Sequence, residues 1–93
     1  MNAELASFHA YVYGHVQGVF YRSYLAKNAR ELDLVGYVRN LSNGSVEVLA
    51  EGEKPQLEKL IEFMKVGSPA AHVDDYTINW SKPAGEYLQF HVF

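Results

Sequence analysis

The spacing of apolar residues changes along the chain, and each change marks an element. Phe8, Ala10 and Val12 alternate with His9, Tyr11 and Tyr13, the period of two that a half-buried strand shows. Gly14 marks its end. From Tyr21 the apolar positions Tyr21, Leu25, Ala29 and Leu32 recur at spacings of four, four and three, which lines one face of a helix that stops before Val35-Gly36. Two strands follow, over 35–41 and 45–51. In the second, Val46, Val48 and Ala50 form the core-facing set and Ser45, Glu47 and Glu51 the other.

The turn between these strands is decided by side-chain facing. A two-residue Asn43-Gly44 loop would put Arg39 on the core side. A three-residue loop, Ser42-Asn43-Gly44 with Gly44 left-handed, pairs Val38 with Val48 and Gly36 with Ala50 instead. The longer loop is therefore expected, and it puts Asn40 on the helix side at the end of its strand. Pro55 suits a first helical turn, where its missing N–H costs nothing. Leu57, Leu60, Ile61 and Met64 continue at helical spacing up to Gly67 and Pro69. Strands near 72–80 and 87–93 complete the chain, with Leu88, Phe90 and Val92 alternating against Tyr87, Gln89 and His91 in the last. The order β-α-β-β-α-β plus a C-terminal strand predicts an α+β, ferredoxin-like split β-α-β sandwich. Two helices should cover one face of a mostly antiparallel sheet.

Composition narrows the chemistry. Ninety-three residues, 48% of them hydrophobic, make one domain over 1–93, with 1–6 expected as a short flexible tail. The absence of cysteine excludes thiol nucleophiles, thiolate metal sites and CxxC redox chemistry. The N-terminus lacks a secretory pattern and no apolar run approaches ~18 residues, so a cytoplasmic protein without membrane association is expected. Eight Lys+Arg stand against eleven Asp+Glu, but unevenly. No carboxylate occurs from Leu5 to Arg30, whereas Arg22, Lys27 and Arg30 do. A locally electropositive third inside an acidic chain points to a confined anion site. It argues against a broad nucleic-acid or membrane surface.

Topology indicates where that site lies. In the predicted sheet the first two strands run parallel with the third between them, so their C-terminal ends share one rim, ~10 Å apart. The segment from Gly14 to Arg22 runs from a strand end into a helix start. Its glycines Gly14 and Gly18 permit positive φ, and the helix start offers N–H groups without intrahelical acceptors. Together these make an anion cradle of backbone amides. Arg22 in the first helical turn opposes the helix dipole by ~0.3–1 kcal/mol, a conflict that a bound anion removes. Its planar fork suits two phosphate oxygens. No histidine falls in an HxxxH or HExxH spacing, and Asp74 and Asp75 point to opposite faces of a strand. No metal or other cofactor is expected.

These residues closely resemble the acylphosphatase family. Val12, Gly14, Val16, Gln17, Gly18, Val19, Tyr21 and Arg22 meet its first signature, and Gly36, Tyr37, Val38, Arg39, Asn40, Gly44, Val46 and Gly52 its second. Gly67-Ser68-Pro69 looks like the family as well. The resemblance implies a cytoplasmic monomer of ferredoxin-like fold that hydrolyses the carboxyl–phosphate bond of acyl phosphates without metal. Inorganic phosphate would be its product and competitive inhibitor. It also implies that Arg22 holds the phosphoryl group, that Asn40 positions the attacking water, and that the amides of His15, Val16, Gln17, Gly18, Val19 and Phe20 cradle the phosphate. Phe20 stands where many bacterial relatives carry Gly. Two other classes share the predicted fold order. An RNA-recognition module is disfavoured because Ser45-Val46-Glu47-Val48-Leu49-Ala50-Glu51 offers two acids and no aromatic residue. A non-catalytic domain retaining an anion pocket would not need both Arg22 and Asn40.

Overall fold

A computed structural model describes residues 4–93. The elements run β1 (Leu5–His15), α1 (Tyr21–Glu31), β2 (Val35–Asn40), β3 (Val46–Glu53), α2 (Lys54–Val66), β4 (His72–Ser81) and β5 (Phe90–Val92). The strands form one sheet of order β4-β1-β3-β2-β5 among the described residues. β3 lies antiparallel between β1 and β2, so β1 and β2 are parallel and end on the same rim. This is the expected ferredoxin-like α+β arrangement.

The β2–β3 hairpin has the expected register. Val38 pairs with Val48 and Gly36 with Ala50. The turn closes through the Leu41 N–H, which donates to Ser45 O at 2.9 Å, and the Gly44 N–H, which donates to Leu41 O at 3.1 Å. Gly44 has φ 91°, the positive value that a three-residue loop asks of its last residue.

The core lies between the sheet and the helices. Phe8, Val12, Val46 and Val48 meet Leu25, Leu57, Leu60 and Met64, all of them at most 1% exposed. At such sites a Leu→Ala change costs about 2–5 kcal/mol. The Tyr21 hydroxyl donates to Met64 O at 2.8 Å, tying the start of α1 to the end of α2. α2 carries Pro55 in its first turn and ends at Gly67, φ 76°.

Two boundaries differ from expectation. β1 begins at Leu5, with Ala6 buried and paired to Gly52, so Leu5 and Ala6 belong to the sheet and not to a flexible tail. The cause is the length of β3, which runs to Glu53 and supplies partners for them. Glu4, exposed, accepts the Lys54 N–H on its main-chain oxygen at 2.8 Å, and residues 1–3 of that expected tail lie outside the described residues. The last strand is shorter than 87–93. Only Phe90–Val92 pairs, in parallel with β2, and Leu88 is 91% exposed. The chain must first travel from β4 on one edge of the sheet to β5 on the other. Glu51 anchors that crossover by accepting the N–H groups of Ala84 at 2.9 Å and Gly85 at 3.1 Å.

Candidate active site

The shared rim carries the β1–α1 connection. Gly14 has φ 132°, and a Cβ there would stand 2.2 Å from His72 O and 2.8 Å from Asp74 N. Only glycine lets β4 approach so closely. β1 continues past it through an irregularity in the pairing, and His15 is its last residue, exposed and opposite His72. Val16 and Val19 then turn inward and are buried, whereas Gly18 (φ 73°) and Phe20 (φ 61°) take left-handed conformations. The two buried valines hold the loop and leave Gly18 on its outer side, with no atom within 4 Å of a hypothetical Cβ.

Phe20 caps α1 without a side-chain hydrogen bond, and the first turn holds no acidic residue. The first N–H groups of α1 therefore lack intrahelical acceptors. Ser23 turns back, its hydroxyl donating to Phe20 O at 3.0 Å. A cleft of about 300 Å³ opens at this point, lined by Val16, Gly18, Phe20, Tyr21, Arg22, Ser23 and Val92. Arg22 reaches across it, and Nη1 donates to the main-chain oxygen of Phe93 at 2.6 Å. That bond uses one of five guanidinium N–H donors. Tyr21 offers no titrating group to the cleft, because burial, with a smaller contribution from Tyr24, pushes its hydroxyl far above the ordinary value.

Of the residues singled out from the sequence, Val16, Gly18, Phe20 and Arg22 thus meet in one cleft. His15, Gln17, Val19 and Asn40 do not line it. Asn40 sits at the end of β2 on the same rim. Its Oδ1 is buried and has no hydrogen-bond partner among the described residues. Two further side chains fix the loop, and sequence reasoning assigned neither a side-chain role. Gln17 Nε2 donates to Leu41 O at 2.8 Å and Ser45 O at 2.9 Å. The buried Ser68 hydroxyl donates to Val19 O at 2.8 Å. The available signals were the family-like Gly67-Ser68-Pro69 and the presence of Gln17 in the first signature.

A separate ionic cluster lies on the sheet face away from the helices. The Glu47 carboxylate, 6% exposed, accepts from His9 Nε2 at 2.6 Å, from the Tyr37 hydroxyl at 3.1 Å and from Arg39 Nε. Among the described residues, no group of three or more His, Asp or Glu is placed to hold a metal ion. No helix among them is long and apolar enough to cross a membrane.

The fold and site define an α+β sandwich with an arginine-lined loop-to-helix cleft on the rim of its parallel strand pair, and comparison with known proteins makes the class specific. The family model for acylphosphatase matches residues 8–92. A curated acylphosphatase of Shewanella amazonensis is 44% identical over 81 residues, 87% of this chain and 89% of its own. The crystal structure of acylphosphatase from Bacillus subtilis superposes with a TM-score of 0.91 at 33% identity, covering 95% of this chain and 98% of that one. An acylphosphatase structure from Coxiella burnetii gives 0.85 at 40% identity, covering 96% and 93%. The chain belongs to the acylphosphatase family. As a member of it, the chain is a hydrolase.

Proposed function

We propose that the chain hydrolyses acyl phosphates at this rim without a metal, with the phosphoryl group seated on the amides of the Val16–Phe20 loop and the start of α1. The observation that carries the reading is the placement of Arg22 in an acid-free first turn, lining the same cleft as Gly18. Backbone donors and a guanidinium meet the charge that a loose phosphoryl-transfer state spreads over its equatorial oxygens. His15, Gln17 and Val19 contribute through main-chain amides, since their side chains lie outside the cleft.

The leaving group is a carboxylate whose conjugate acid has a pKa near ~4, so no general acid is needed to expel it. This agrees with a cleft lined by neither carboxylate nor histidine. Water oxygen forms a bond to phosphorus as the bond from phosphorus to the carboxyl oxygen breaks, and the electron pair departs with the carboxylate. One water proton passes to a phosphoryl oxygen, giving inorganic phosphate. Asn40 orients that water. Its oxygen has no competing protein donor among the described residues, which leaves its acceptor capacity for a water hydrogen. A pH–rate profile that required an enzymic base titrating near ~6–7 would remove the phosphoryl oxygen as proton acceptor.

The reading extends to a cytoplasmic monomer inhibited competitively by its product phosphate. The cysteine-free composition suits a reducing compartment. The direct test is hydrolysis of benzoyl phosphate by the purified chain beside Asn40→Ala. Turnover by the unmodified chain that the variant loses supports the enzyme. Phosphate binding with no turnover by either would leave only an anion-binding domain.

A further inference from the structure

Phe20 is an anomaly that packing does not explain. It is a bulky residue in a left-handed conformation, φ 61° and ψ 21°, yet 83% exposed. Residues with a Cβ seldom adopt this region, and such outliers gather at functional sites. Across the cleft is Val92, the last residue of β5, 43% exposed. Phe20 and Val92 line the cleft that also holds Arg22 and Gly18. The cleft is therefore two-sided. One part is lined by Arg22 and Gly18, and the other by an aromatic and an aliphatic residue.

We infer that Phe20 and Val92 form the subsite for the acyl group, and that it selects apolar, above all aromatic, acyl phosphates over short ones. The inference rests on the acyl phosphate reading above. A substrate with its phosphoryl oxygens on Arg22 and the loop must direct its acyl group out of the cradle, and the apolar wall is the adjoining surface. Burying a ring against Phe20 removes apolar area of both partners from water. An acetyl group reaches too little of that wall to gain as much. The strained backbone is then a consequence of keeping a ring at a position whose conformation suits glycine or asparagine.

The test is the ratio of kcat/KM for benzoyl phosphate to that for acetyl phosphate, measured in the unmodified chain and in Phe20→Asn, Phe20→Gly, Phe20→Tyr and Val92→Ser. Asn and Gly both suit the left-handed backbone, so each removes the ring without adding strain, and agreement between them separates the ring from loop stiffness. The ratio is expected to fall about tenfold in both, equivalent to about 1.4 kcal/mol. A smaller fall is expected in Val92→Ser, and retention in Phe20→Tyr. A ratio unmoved in Phe20→Asn, or kcat/KM values falling in step for the two substrates, overturns the subsite while leaving the enzyme intact. Hydrolysis of neither substrate by the unmodified chain overturns the acyl phosphate reading and this inference with it.

Discussion

The side-chain amide of Gln17 donates to the carbonyl of Leu41 at 2.8 Å, joining the β1–α1 loop to the residue directly after Asn40. Its second bond, to Ser45 O at 2.9 Å, reaches the other side of the same hairpin turn. The two parts of the rim are thus braced by one side chain as well as by the sheet. Gln17→Ala should cost about 0.5–1.5 kcal/mol per bond lost, the net worth of a hydrogen bond, because both carbonyls keep their backbone donors in the turn. Gln17→Glu should cost more, because a carboxylate would face two carbonyl oxygens. Urea midpoints in the order Gln, Ala, Glu, with kcat falling in the same order, would bear this out. A Glu variant as stable as the unmodified chain would show that the brace is not formed.

Arg22 is expected to serve ground state and transition state alike. Arg22→Ala should therefore raise the inhibition constant for inorganic phosphate and lower turnover by roughly 10²–10³-fold, the range seen when one stabilising donor is removed from an oxyanion site. Arg22→Lys keeps the charge and loses the planar fork, so it should recover only part of either quantity. Steady-state assays with phosphate as inhibitor measure both. An unchanged phosphate constant in Arg22→Ala would place the anion elsewhere.

Asn40 should separate activity from stability. Its buried Oδ1 has no partner among the described residues, and an unmade buried hydrogen bond costs about 1–3 kcal/mol. Asn40→Ala removes that atom, so the variant should be as stable as the unmodified chain or more so while its kcat drops. Phosphate inhibition should be retained, since water positioning belongs to the chemical step. Loss of stability together with kcat would instead mark Asn40 as a structural residue of the β2 end.

How far the sequence carried the fold follows from the range of its signals. The β2–β3 register was legible because Val46, Val48 and Ala50 alternate strictly and the turn residues demand a positive φ at Gly44. α1 and α2 were legible for the same kind of local reason. Ala6 carried too weak an apolar signal to mark the start of β1, and Leu88 continued an alternation that tertiary geometry does not use. The loop, Arg22 and Asn40 were correctly sent to one rim by topology. Local patterns could not show that Asn40 lies outside the cleft, or that Gln17 and Ser68 hold the loop. Those facts depend on contacts between residues 24 to 49 positions apart. The Glu47 cluster was hidden for the same reason, since its partners come from β1 and β2.

That cluster should shape the response to pH at both extremes. Burial alone would raise the Glu47 carboxyl, but the bonds from His9, Arg39 and Tyr37 outweigh it and hold the group below its ordinary value of 4.5. A depressed folded value adds stability that is complete above the unfolded range and is lost as pH falls through the folded one. Tyr37 behaves oppositely. Burial and then the Glu47 carboxylate push its hydroxyl up from 10.0 to about 12, so its contribution is complete below pH 10 and is lost between about 10 and 12. Stability measured by urea unfolding at pH 3, 7 and 11 should decline on both sides of neutrality. Glu47→Gln should flatten both limbs, and Tyr37→Phe chiefly the alkaline one. Acid limbs of equal slope in the unmodified chain and Glu47→Gln would show that carboxylates elsewhere govern acid unfolding.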